Sequence, residues 1–533
     1  MISPLSFYEK LLLIFLLACG TWARLSHLER VGVRTVDEGS YCFFAISMLN
    51  GDPKCIQDKP GQALIVAAGF GTFGISQYAA VFTSALIGLA TLPALFWLGL
   101  LISGKAAAFA LTASGVFLPY FLHYNRSAAS DSNYVLFCVL ALCFFFKGIS
   151  KSEEERKAHL KWMAASGLSF GIAATINLAS VPPYALTWAF FGVLAWWDRQ
   201  SLKTTAQSLL VFAGGGLAGG VLVELPLAGF IDFEKVFTQV SGHAGHILAT
   251  TLKWEWAYNL WKLCGPVEIV LAIAALASFN LWWRKPPALF PLLTLVLIVF
   301  YARAKLSLPR LHVPILLGLL PLMALGADQL VKLIRKRLPN TPEIAMYAGL
   351  SVFLLGVHVP AAARIVSLRS GYTETCRWLS DQMEDKDKGI ATHTWWTLMS
   401  FTGRTFSFGS DRLADALNQK EWRAPFVETL QEFEDLGYSW LVLDYLLFTR
   451  VDAAGIENWK SLVKEFDCQA NGGVRIENPI AGDFETWAED AHIPPLEEEP
   501  LGHYIYVYRL ADLKGAVSGD KKSVISDQQS GEM

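Results

Sequence analysis

The stretch Val36-Asp37-Glu38-Gly39-Ser40-Tyr41 sits just after the first apolar segment, and the loop it opens runs on to Lys59-Pro60-Gly61-Gln62. Thr35 and Glu38 have the T-x-x-E spacing of a capping box, in which a hydroxyl and a carboxylate each satisfy a backbone N–H at a helix start. The helix so opened is predicted to bury Tyr41, Phe44, Met48 and Leu49 and to stop at Asn50-Gly51. Glu38 is then accounted for as helix punctuation. Asp37 is not, because a helix start takes one cap and Thr35 supplies it. At most Asp37 is a first-turn acid favoured by the helix dipole.

The surroundings of this stretch read as membrane. The chain has 533 residues, 53% of them hydrophobic and only 17% charged, with a mean hydropathy of +0.37. Soluble domains carry about a quarter charged residues. The apolar residues come in blocks near 11–23, 78–102, 106–122, 133–149, 163–180, 184–197, 207–230, 263–283, 287–301, 310–329 and 343–360, about eleven spans when tilt is allowed. Tryptophan pairs at block edges, Trp196-Trp197 and Trp282-Trp283, fit an interfacial belt. In the first block Leu16-Leu17-Ala18-Cys19 resembles a lipoprotein cleavage box. The single flanking Lys10 and the poor fit at Leu17 favour a retained helix over a signal peptide.

Basic residues assign the sides. Lys105, the Lys151 to Lys161 linker, Arg199 and Lys203, Arg284-Lys285 and the run from Lys332 to Arg337 fall on alternate linkers, which makes those linkers cytoplasmic. The N-terminus is then inside, and 24–77, 123–132, 231–262, 302–309 and the C-terminal region lie outside. That C-terminal region regains charge and alternates strand-like runs (389–393, 438–443, 504–508) with helical ones (372–384, 456–466). The expected fold is therefore a polytopic α-helical membrane domain over 1–360, an extracytoplasmic α/β domain over 361–512 and a disordered tail over 513–533. A net charge of -3 says little about partners, and no basic tract suggests nucleic acid. Eight cysteines show no metal-type spacing; Cys42 with Cys55 and Cys376 with Cys468 are each open to a disulfide or to free buried thiols.

The polar residues that stand out all fall on outer segments: Asp37, Glu38 and Tyr41; Lys59; Arg126 and Asp131; His243 and His246; Arg303, Lys305 and Arg310. Each has a plain structural reading beside a functional one. Asp131, before Ser-Asn-Tyr-Val-Leu, is also a good N-cap for the next span. Lys59, Arg303, Lys305 and Arg310 could clamp a phosphate at headgroup level, or could snorkel to lipid. His243 and His246 flank Ala-Gly with no third ligand in phase, a weak metal pattern that reads better as loop or acceptor-side residues. The sequon Asn125-Arg126-Ser127 hugs the membrane too closely for an acceptor.

An Asp-Glu pair in the first outer loop, an interfacial helix and then Lys59-Pro60 resemble the GT-C class of integral-membrane glycosyltransferases. Within that class the chain is similar to the branch of protein O-mannosyltransferases and lipid A aminoarabinose transferases. Arg126 and Asp131 leading into an apolar helix with Phe137 resemble the second acidic motif of that branch. Pro309-Arg310-Leu311-His312-Val313-Pro314 resembles its Pro-Arg-Tyr-x-x-Pro element, with Leu311 in place of the aromatic. The C-terminal region is unlike the repeated sugar-binding modules of the eukaryotic enzymes and looks like the small outer domain of bacterial relatives.

The resemblance implies transfer of a hexose or pentose from a polyprenyl-phosphate donor to a hydroxyl of a lipid, protein or glycan, on the outer face of a plasma or bacterial inner membrane. Asp37 would be the base; Glu38 and Asp131 would orient acceptor or sugar. Lys59, Arg126 and Arg310, with Arg303 and Lys305, would hold the phosphate, and Tyr41, His243 and His246 would stand near the acceptor. No cofactor is called for, and a divalent metal is left open. The rival class is a transporter or flippase, which predicts charge in mid-membrane; Glu224 beside Pro226 is its candidate. A third reading is a membrane-anchored assembly protein, in which Asp37 would be dispensable.

Overall fold

Among the described residues, each apolar block is largely helical. The computed structural model describes residues 4–150, 155–197, 201–238, 255–277, 285–302, 309–392, 394–444, 447, 450–478 and 500–519. The helices begin with α1 (Phe7–Leu25), α2 (Val36–Leu49), α3 (Pro60–Phe73), α4 (Gln77–Ile102) and α5 (Lys105–Phe117). They continue with α6 (Pro119–Asn125), α7 (Ser130–Ile149), α8 (Arg156–Ile176), α9 (Val181–Trp197) and α10 (Leu202–Glu224). Helices Glu255–Ala277, Leu289–Tyr301, Leu316–Arg337 and Glu343–Ser367 follow.

Among the described residues, seven helices are long and apolar enough to cross a membrane, and α5 with α6 makes an eighth, bent by 60°. The bend lies at Leu118, where the following Pro119 disfavours the helical region and ψ is 119°. The rest of the eleven apolar blocks are α8, whose first turns carry Arg156, Lys157 and Lys161, and the shorter apolar helices Cys264–Ala277 and Pro286–Tyr301.

The chain divides into two compact units: Met1–Leu28 with Phe44–Ser367, and Glu29–Phe43 with the residues from Leu368 on. In the first, α8 and α10 pack backbone to backbone. A Cβ on Gly171 would lie 2.0 Å from the Gly216 carbonyl oxygen, and one on Gly219 would lie 2.2 Å from that of Leu168. Small residues four apart permit such approach where no hydrophobic force drives helices together. Gly171→Leu or Gly219→Leu must therefore prise the pair apart. A loss of about 1–3 kcal/mol is expected, read as a lowered unfolding midpoint in detergent; an unchanged midpoint would refute the tight seam.

The second unit carries a five-stranded sheet in the order β2-β1-β3-β5-β4. Its strands are β1 (Lys388–Ala391), β2 (Thr405–Phe408), β3 (Trp440–Leu443), β4 (Val474–Glu477) and β5 (Tyr504–Arg509). β1 runs parallel to β2 and β3, while β5 is antiparallel to β3 and β4. Leu441 and Leu443 face one core with Phe426 and Trp459; Trp440 and Val442 face the other with Leu379 and Leu398. Burial on both faces explains why this strand reads as an unbroken apolar run.

Three boundaries differ from the sequence expectation. The last apolar helix continues to Ser367 rather than stopping near 360, and residues 29–43 group with the α/β unit. The stretch expected as tail from 513 begins in a helix, Leu510–Ser518, because Leu510, Leu513, Ala516 and Val517 share one buried face.

Candidate functional site

The start of α2 shows the hydroxyl half of the capping box. The Glu38 N–H donates to Thr35 Oγ1 at 3.2 Å, and that hydroxyl is 3.2 Å from Glu38 Oε1. Arg34 Nε lies 3.7 Å from the same carboxylate oxygen, and the Glu38 side chain is 1% exposed. Glu38 is thus locked into the helix start, a holding role in place of the expected one of orienting acceptor or sugar. Asp37, in the same first turn, stays half-buried. Tyr41 is 1% exposed, as the helix pattern predicts, whereas Leu49, expected on the same buried face, is 47% exposed in the last turn of the helix.

Residues 29–43 are held by the α/β unit to which they belong. Ser370 donates its N–H to the Arg30 carbonyl (2.9 Å) and its hydroxyl to that of Val31 (2.6 Å). Farther along, Ser400 Oγ donates to the Gly39 carbonyl at 3.3 Å, and the Phe43 and Trp396 rings lie 4.7 Å apart. A Cβ on Gly39 would come within 2.6 Å of Thr397 N and Oγ1, so glycine is required there by close approach. Gly39→Ala is expected to shift the turn bearing Asp37 and to cut turnover at least about 10-fold, since a displacement near 1 Å can cost far more. Turnover within two-fold of wild type would show the turn to be tolerant.

The remaining candidates belong to the helical unit. Arg126 is 1% exposed, and its guanidinium donates to the carbonyls of Ala23 (2.9 Å), Arg24 (3.1 Å) and Val366 (3.3 Å). Through Nη1 and Nη2 it ties the ends of α1 and the helix Glu343–Ser367, a backbone-holding role where a phosphate ligand was expected. Arg24 does similar work on Asn125, Gly115 and Val116. Asn125 is wholly buried and so is closed to glycosylation.

Asp131 is 7% exposed in the first turn of α7. The N-cap position there is Ala129, so the alternative of Asp131 as the cap is not realised. Nearby, Gln62 Nε2 donates to the Ala128 carbonyl (2.7 Å), and Asn133 Nδ2 donates to Gln62 Oε1 (3.0 Å). These bonds bring the start of α3, where Lys59 stands, to the start of α7, where Asp131 stands. Lys59 has φ +43°, a conformation rare for a non-glycine residue, and its Nζ is 3.9 Å from Asp58. Strain of this kind gathers at functional sites.

Arg310 lies in the 3-10 helix Pro309–Ile315. His243, His246, Arg303 and Lys305 fall outside the described residues. No cluster of three metal-ligating side chains occurs among the described residues. All eight cysteines are free thiols, so neither disulfide pairing is formed. Burial, and then the charge of Glu38, pushes the Cys42 thiol well above its ordinary range.

One buried acid escaped the sequence reading. Glu268 Oε1 lies 2.8 Å from His358 Nε2 and accepts from Ser114 Oγ at 3.0 Å, joining three helices. The visible signal was a carboxylate two residues past Gly265-Pro266 inside an apolar block. Glu224, the transporter candidate, ends α10 and lines, with Thr175, Tyr184 and mostly apolar residues such as Phe170 and Leu217, a groove of about 550 Å³.

Residues 46–236 match the family model PMT, dolichyl-phosphate-mannose-protein mannosyltransferase. The matched part of the chain resembles a PMT-family domain. The match holds Lys59, Arg126 and Asp131 and begins after Asp37. The chain also shares its fold with two solved GT-C enzymes. One is the archaeal oligosaccharyltransferase AglB of Archaeoglobus fulgidus, in complex with an inhibitory peptide and a dolichol-phosphate. It is 11% identical, with a TM-score of 0.59, over 85% of this chain and 72% of that one. The other is ArnT from Cupriavidus metallidurans bound to undecaprenyl phosphate, 15% identical, with a TM-score of 0.56, over 82% of this chain and 92% of that one. No curated protein matches the chain. These likenesses support a multi-pass GT-C glycosyltransferase over a transporter.

Proposed function

We propose that this glycosyltransferase moves a hexose or pentose from a polyprenyl-phosphate carrier to an acceptor hydroxyl, with inversion, and that Asp37 is the general base. The acceptor oxygen loses its proton to the Asp37 carboxylate as it attacks the anomeric carbon. The bond from that carbon to the phosphate oxygen breaks, and the electron pair leaves with the phosphate. A phosphate needs no general acid; cations that hold its developing charge suffice. Lys59 and Arg310, with Arg303 and Lys305, take that part, and Asp131 orients sugar or acceptor. The reaction runs on the outer face of a bacterial inner membrane, with the N-terminus cytoplasmic, and the acceptor is a lipid, a protein or a glycan.

The observation that carries this reading is the division of labour at the start of α2. Thr35 caps, Glu38 meets Arg34, and Asp37 is a half-buried carboxylate in the first turn that the cap does not use. The test supplies purified protein with a panel of polyprenyl-phosphate sugars and candidate acceptors. Release of free polyprenyl phosphate coupled to acceptor glycosylation is expected for one donor. Silence across the panel from folded protein would overturn the reading.

A further inference from the structure

Asp444, wholly buried, directly follows β3 in the α/β unit and gathers three hydroxyls. Tyr372 Oη donates to Oδ2 at 3.2 Å, Thr394 Oγ1 to Oδ2 at 3.1 Å and Thr392 Oγ1 to Oδ1 at 3.0 Å. The backbone N–H of Asp444 returns a bond to Thr392 Oγ1 at 3.0 Å. Two of these partners begin arms that end on the segment 29–43. Tyr372 stands two residues after Ser370, which holds the carbonyls of Arg30 and Val31. Thr394 is the N-cap residue of the helix Trp395–Thr402, yet its hydroxyl goes to Asp444 and caps nothing. That helix in turn carries Trp396, Thr397 and Ser400, the residues against Phe43 and Gly39.

We infer that Asp444 is a positioning residue for the turn that bears Asp37, acting through a Tyr372–Ser370 arm on one side and a Thr394–helix arm on the other. A buried carboxylate is costly unless its lone pairs are filled, so once filled it fixes the groups that fill it. Here those groups are the two chain segments on which the Asp37 turn rests. The inference rests on Asp37 being the base.

The experiment compares wild type with Asp444→Asn, Thr394→Val and Asp37→Asn. It measures kcat, donor KM and amide hydrogen exchange over residues 29–43. Asp444→Asn should lower kcat about 10-fold, leave donor KM within about two-fold, and speed exchange at residues 30–39 while exchange in α4 and α7 stays unchanged. Thr394→Val should do the same more weakly, and it decides the matter if Asp444→Asn fails to fold. Wild-type kcat in both variants, beside a dead Asp37→Asn, would overturn the positioning role and leave the base standing. Turnover by Asp37→Asn would remove the base, and the positioning role with it. A fall in kcat with exchange at 30–39 unchanged would also overturn it, since the effect would then travel by another route.

Discussion

Asp37→Asn should lower kcat by about 10²- to 10⁴-fold, the span of general-base contributions, with the unfolding midpoint unmoved. The amide is isosteric and cannot take the proton of the acceptor hydroxyl. The helix start does not depend on it: Thr35 still caps, and Arg34 still meets Glu38. Glu38→Gln separates the two acids. It removes the charge opposite Arg34 in a buried setting, so it should cost stability, about 1–3 kcal/mol, before it costs chemistry. Release of polyprenyl phosphate and thermal unfolding, measured on both variants, give opposite patterns if the roles are as drawn. Full turnover by folded Asp37→Asn would end its candidacy as base.

The largest effect on stability is expected inside the helical unit. His358→Ala leaves the Glu268 carboxylate buried with Ser114 as its remaining hydrogen-bond partner among the described residues, and Glu268 Oε2 already has none. Leaving a buried acceptor without its hydrogen-bond partner costs about 1–3 kcal/mol, and more where the group is charged. The pair joins α5, the helix Glu255–Ala277 and the helix Glu343–Ser367. It also lies close to Gly265, where φ is +76° and the helix is broken before Pro266. Glu268→Gln keeps an acceptor for Ser114 and should be milder. Denaturant or thermal unfolding in bicelles ranks the variants. His358→Ala within about 0.5 kcal/mol of wild type, the ordinary range for a harmless surface change, would show that the pair contributes little.

The residues read correctly from sequence share one property: their environment is set by near neighbours. A run of about twenty apolar residues has to become a helix in hydrocarbon, where every backbone group must be satisfied within the segment. Thr35 and Glu38 find each other three residues apart, so their box was legible. The same holds for strands β1, β3 and β5, whose apolar runs mark them without reference to the rest of the fold.

What the sequence could not tell depends on partners far along the chain. A guanidinium at a helix end looks the same in sequence whether it meets phosphate or carbonyls; packing of α1 and the helix Glu343–Ser367 decided that Arg126 meets carbonyls. Glu268 looked like a stray acid until His358 was folded against it. Above all, residues 29–43 read as a loop of the membrane domain, yet they group with the α/β unit through Ser370 and Gly39. Hydropathy and capping are local and are written in the order of residues. Which segments share a core is settled by burial and hydrogen bonding across the fold, and only the tertiary structure assigned the turn bearing Asp37 to its support.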